Sequence, residues 1–249
     1  MGRPMMATVA MLTLRNLLGR RRALLMLALP GVLLLLSLIL RLTVQESSRP
    51  QVTAGVLGGF ALATLVPLLG LLAGTGAIGP EIDDGSIVYL LSKPVSRYRL
   101  VVAKLAVAVL VVVVFAALPI LVAGLLLNGT GDGLAVGFFV AALVGGTAYC
   151  AVFLLLAVVT RNAVVVGLIY ALVWESLVGS FVPGAKALSI QQWGLSLTQA
   201  VIDTGRAEEL GVTAAVRLPV AVPLLVIVLV AATAYAGHRL RALRLTNDD

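Results

Sequence analysis

LVVAKLAVAVLVVVVFAALPILVAGLLL, residues 100–127, contains one charged side chain, Lys104, and one proline, Pro119. As a helix this stretch would reach about 42 Å at about 1.5 Å per residue, more than the roughly 30 Å of a bilayer's hydrocarbon core. Comparable apolar runs lie at about 23–42, 55–78, 134–159, 163–182 and 218–237, so six spans are expected. The whole chain of 249 residues is 61% apolar and 12% charged, with a mean hydropathy of +1.11. Soluble domains run about 45–50% apolar and about 25% charged. The expected fold is therefore all-α, one polytopic membrane domain over 1–249 with no room for a separate soluble catalytic domain. The first run sits behind Arg20, Arg21 and Arg22 like a signal-peptide core. Its length, the missing small-residue cleavage pattern and the further runs behind it make it a first span instead.

Residue counts exclude several chemistries. Cys150 is the single cysteine and lies in an apolar run, so an intramolecular disulfide and a thiol metal cluster are excluded. His238 is the single histidine, and a histidine pair or the usual histidine-oriented serine nucleophile lacks its parts. A phosphate-binding loop needs Gly-Lys followed by Ser or Thr. The lysines Lys93, Lys104 and Lys186 follow Ser92, Ala103 and Ala185. No catalytic residue and no metal site is expected, and ATP-driven work would have to come from a partner chain.

Charge sets the expected orientation. With the amino terminus cytoplasmic, 13 of the 18 basic residues fall inside, among them Arg15, Arg20, Arg21, Arg22, Lys93, Arg97 and Arg99. Cytoplasmic loops carry the excess of Lys and Arg, so both ends are expected in the cytoplasm of a multi-pass cell-membrane protein. Topology then accounts for the net charge of +7 without nucleic acid.

Three segments outside the spans have their own character. Residues of about 5–20 pattern as an amphipathic helix lying in the interface, with Arg15 and Arg20 on its polar side. The inner loop 79–99, GPEIDDGSIVYLLSKPVSRYR, joins Glu81, Asp83, Asp84 and Gly85 to the apolar Ile87, Val88, Tyr89, Leu90 and Leu91, then Pro94 and Arg97. An apolar run of this kind needs a cover, either lipid or another protein. The outer segment 183–217 is too long for a simple connector. Within it, Ser189-Ile190-Gln191-Gln192 fits a capping box before a short helix, and Trp193 suits the membrane interface.

Inside the spans, Gly55 and Gly59, and Gly70 and Gly74, mark close helix contacts. Pro30, Pro67, Pro119 and Pro223 are expected to kink their helices. Glu175 is the one carboxylate deep in an expected span. Exposure of such a group to lipid is costly, so it is expected to point between helices, with Tyr170 and Ser176 as hydroxyl neighbours.

Glu81, Gly85-Ser86, Tyr89-Leu90-Leu91-Ser92-Lys93-Pro94-Val95-Ser96-Arg97 and the following Lys104 resemble the cytoplasmic loop of ATP-binding cassette (ABC) type 2 permeases, the membrane subunits of bacterial exporters. The likeness covers nearly the whole chain, including Trp174-Glu175 and Leu188-Ser189-Ile190, although Ala103 and Ser86 stand where glycine and threonine are usual. The resemblance implies a coupling helix around Ile87–Leu91 that docks on an ABC ATPase, an amino-terminal elbow helix, and an outer segment capping an extracellular gate. It also implies two ATPase copies, a second permease copy or similar permease as partner, and no cofactor on this chain, with ATP and Mg on the ATPase. An ion-coupled transporter or channel using Glu175 is the alternative, and a membrane scaffold is a third class. Few aromatics and one acid in the spans favour an amphipathic or hydrophobic substrate over a sugar polymer.

Overall fold

The computed structural model describes residues 11–13, 20–85, 96–178, 185–202 and 204–242, and every regular element among them is helical. Hydrocarbon offers no hydrogen-bonding partner, so a backbone crossing it must bond to itself. The first span is α1 (Arg20–Thr43). The second is longer than expected: α2 (Arg49–Gly55), a π-helical stretch (Val56–Leu65) and α3 (Val66–Asp83) follow without a break. The third joins α4 (Arg97–Val112), a π stretch (Val113–Ala117) and α5 (Leu118–Asn128). The fourth, α6 (Leu134–Val159), has the expected bounds. Next come α7 (Ala163–Ile169) with a π stretch (Tyr170–Val178), the outer helices α8 (Ile190–Val201) and α9 (Thr204–Glu209), and α10 (Leu218–Ala242). Among the described residues five runs are long and apolar enough to cross a membrane, and Ala163–Glu175 is a shorter apolar helix. Residues 179–182, the end of the expected fifth span, lie outside the described residues.

Two of the four expected proline kinks take a specific form. A proline cannot donate to the carbonyl four residues back, and its ring crowds that carbonyl. Pro67 and Pro119 are each preceded by a widened turn, in which Val66 N–H bonds to Ala61 O and Leu118 N–H to Val113 O, five residues back. In each π-turn the residue before the proline keeps its helical bond, although the proline itself donates none. Pro30 and Pro223 lie inside uninterrupted α-helices.

α6 is the spine of the bundle, packing against α3, α4, α5, α8 and α10. Small residues make this possible, because Gly and Ala allow backbones to approach. A Cβ on Gly70 would stand 2.8 Å from Tyr149 Cβ, and one on Gly74 2.8 Å from Cys150 O and 2.9 Å from Phe153 Cβ. This glycine pair is therefore an internal helix contact. Gly55 and Gly59 have nothing within 4 Å of an added Cβ. We expect Gly74→Ile to destabilise the detergent-solubilised protein by about 1–3 kcal/mol, the usual penalty of overpacking against backbone that cannot yield. Gly59→Ala should leave the melting temperature unchanged.

Candidate functional site

Two polar constellations stand out, one where α3 meets α4 at the end of the bundle that carries residues 86–95 and one beside the middle of α6. At the first, α3 ends on Gly85, whose φ of +69° suits glycine, with Asp84 N–H bonded to Pro80 O and Gly85 N–H to Ile82 O. Ser96 in extended conformation starts α4. Eight residues into the new helix stands Lys104, fully buried. Its ammonium donates to Ala77 O at 2.7 Å and to Glu81 Oε1 at 2.7 Å. The pair clamps α3 to α4 at the base of the segment 86–95. On the other side of α4, the Tyr98 ring lies so close to Gly237 of α10 that a Cβ there would collide with it.

Beside the middle of α6, Glu175 is 2% exposed. An α-helix would set Tyr170 and Glu175 about 140° apart around the axis, whereas i→i−5 winding brings residues five apart closer to one face. The π stretch thus lets Tyr170 Oη donate to Glu175 Oε1 at 3.3 Å. The same oxygen accepts Ile190 N–H at 3.1 Å, and Oε2 accepts the Ser189 hydroxyl. Ser189 Oγ in turn accepts Gln192 N–H at 3.3 Å. A carboxyl from the π stretch after α7 therefore satisfies the start of α8, where unpaired N–H groups and the helix dipole favour an acceptor. An aromatic ladder supports this arrangement: Tyr149 and Phe153 of α6 stack at 6.0 Å, and Phe153 meets Tyr170 edge-on at 6.0 Å.

α8 is fastened elsewhere too. Thr198 Oγ1 donates to Gly137 O at 3.2 Å and Ser196 Oγ to Val216 O at 2.6 Å. Arg206 bridges α9 to Asp132 at 3.1 Å in the turn before α6, and the same turn passes through Gly129, Asp132 and Gly133 at positive φ.

Residues 5–236 match the family model described as ABC-2 family transporter protein. The chain belongs to this family. No curated protein matches it. The protein is thus a multi-pass membrane permease component of an ABC transporter, and membership implies association with an ABC ATPase.

In this permease the residues expected from sequence fall into three groups. Glu175 and Tyr170 are brought together, while the Ser176 side chain lies outside the described residues. Ile87, Val88, Tyr89, Leu90, Leu91 and Pro94 of the coupling loop lie outside them too, as do Arg15 and the side chains of Arg20, Arg21, Arg22 and Asp83. Of the amino-terminal helix, residues 11–13 are described and helical. Asp84 and Gly85 are exposed, whereas Glu81 turns to Lys104.

Two expectations are corrected. Trp193 is 3% exposed and its indole N–H donates to Ala187 O at 2.8 Å, so the ring is core rather than an interface anchor. The capping box is half formed: Gln192 Oε1 accepts Ala215 N–H at 3.1 Å instead of reaching back, and Ser189 N–H bonds to Lys186 O. Sequence reasoning missed the Lys104–Glu81 pair as a unit, although a lysine four residues into an apolar run signalled a buried partner.

The burial asymmetry of that pair yields a prediction. Lys104 is 0% and Glu81 17% exposed. Glu81→Ala strands a buried ammonium, at a cost of about 3–5 kcal/mol, while Lys104→Met leaves a carboxyl with access to water and should cost clearly less. Thermal unfolding in detergent reads the order. At the second constellation, Glu175→Leu should cost about 1–3 kcal/mol by orphaning Ile190 N–H and the Ser189 hydroxyl. Hydrogen exchange should then accelerate at Ile190–Trp193, and Glu175→Gln should largely preserve protection.

Proposed function

We propose that this permease is the transmembrane subunit of an ATP-driven exporter, coupling hydrolysis by separate ATPase subunits to movement of a substrate across the cell membrane. In this reading both ends of the chain, the 79–99 loop and the 160–162 turn are cytoplasmic, and 183–217 is extracellular. Two ATPase copies, carrying ATP and Mg, act on a pair of permeases formed with a second copy or a similar chain. The basic asymmetry supports the orientation.

The observation that carries the proposal is the Lys104–Glu81 clamp with its third partner, Ala77 O. A loop that receives force must not merely bend its own ends. Clamping α3 to α4 at the base of 86–95 makes the two helix ends move together, so a displacement of the loop becomes a displacement of two spans. Ile87, Val88, Leu90 and Leu91 supply the apolar seat expected of a docking helix, and Asp84 and Arg97 its polar rim.

The Glu175 contacts favour this reading over an ion-coupled transporter. A coupling carboxyl needs a path to water, whereas Glu175 is 2% exposed and has both oxygens engaged. Its role here is to hold the start of α8 to the fifth span. Leu90→Asp tests the proposal: a charge in the seat should abolish copurification of the ATPase or uncouple its hydrolysis from transport. Normal assembly and normal transport in this variant would remove the docking role.

A further inference from the structure

Between α4 and α10, on the half of the bundle nearer residues 86–95, runs an open groove of about 480 Å³. Val102, Ala106 and Val109 form one wall, Val230 and Ala234 the other, and Thr147 of α6 lies between. Its threonine hydroxyls are already spent: Thr147 Oγ1 donates to Leu143 O and Thr233 Oγ1 to Leu229 O, each at 2.7 Å. The occupant must therefore be hydrocarbon. From Tyr98 at one end to Val109 the helix climbs about 16 Å at about 1.5 Å per residue, close to half the roughly 30 Å hydrocarbon core. The groove is one leaflet deep. At its end Tyr98 packs on Gly237; the exposed Arg99 stands beside Tyr98 on α4, and the exposed Arg239 two residues past Gly237 on α10.

We propose that this groove holds one acyl chain of an anionic phospholipid from the leaflet bordering residues 86–95, with the phosphate against Arg99. A second copy of the chain fits this face poorly. Self-pairing through a two-fold axis sets the same patch against itself, which would bring the Arg99 and Arg239 rims together, whereas an anionic headgroup neutralises them. The assignment is independent of which side of the membrane that leaflet faces, so it stands apart from the proposed transport function.

The test uses the full-length protein in nanodiscs with phosphatidylglycerol or phosphatidylcholine carrying a photoreactive diazirine in the acyl chain, and mapping of adducts by peptide mass spectrometry. Adducts should concentrate on Val102–Val109 and Leu229–Ala234, above those on the equally exposed Val164, Val165 and Ile169 face. Phosphatidylglycerol should exceed phosphatidylcholine by about fivefold, the factor one basic residue contributes at an anionic surface, and Arg99→Gln should erase that preference while adducts in the groove remain. Ala106→Trp or Ala234→Trp should empty the groove of adducts and leave those on Val164–Ile169, which also reports that the variant is folded. Adducts spread evenly over all apolar faces would reduce the groove to ordinary lipid contact and overturn the proposal. A disulfide between copies through a cysteine placed at 102 or 230 would overturn it as well, by making the face a subunit interface.

Discussion

Hydrocarbon supplies no hydrogen bonds, so a charged group that this chain carries into its spans needs a protein partner. Two ionisable side chains test that constraint most severely, and both meet it by reaching across to another element. Lys104 of α4 finds Ala77 and Glu81 of α3, and Glu175 of the fifth span finds the start of α8. The need for a partner thus creates two cross-links, one at the α3–α4 end of the bundle and one beside the middle of α6. The backbone also adapts, with a wider turn directly before Pro67 and before Pro119.

α6 connects the two cross-links. Its Tyr149 and Phe153 lie against Gly70 and Gly74 of α3, the helix that carries Glu81. Phe153 also meets Tyr170, which bonds to Glu175. A shift of the α3 end under load from a docked ATPase would meet closely packed backbone and aromatic rings all the way to α8. Soft, loosely packed side chains would dissipate such a shift, whereas close-packed interiors transmit strain. This gives the proposed coupling a material route from the loop base to the outer segment.

Much of this architecture is legible in the sequence because hydropathy alone determines where a chain crosses lipid. α6 begins and ends where its apolar run does, since the tight turns at 129–133 and 160–162 punctuate it. The second span is longer than its apolar run because Arg49 and Pro50 open a helix that polar residues continue without interruption. What local pattern cannot reveal is pairing between distant elements. Gln192 has the spacing of a capping box, yet Ala215 N–H, 23 residues on, captures its side chain. Trp193 has the composition of an interface anchor, yet the folding of 185–217 over α6 buries it. Glu175 is identifiable as a buried acid from its setting, but its partners Ser189 and Ile190 come from a segment that the sequence reads as a separate outer region.

The central claim, that the 79–99 loop receives the ATPase on the face opposite the outer segment, has a direct measurement. A photoreactive amino acid is placed at position 88 or at the exposed position 213 in the permease copurified with its ATPase, and adducts are identified after illumination. The account predicts covalent capture of the ATPase from position 88 and none from 213. Capture from 213 with none from 88 would contradict it.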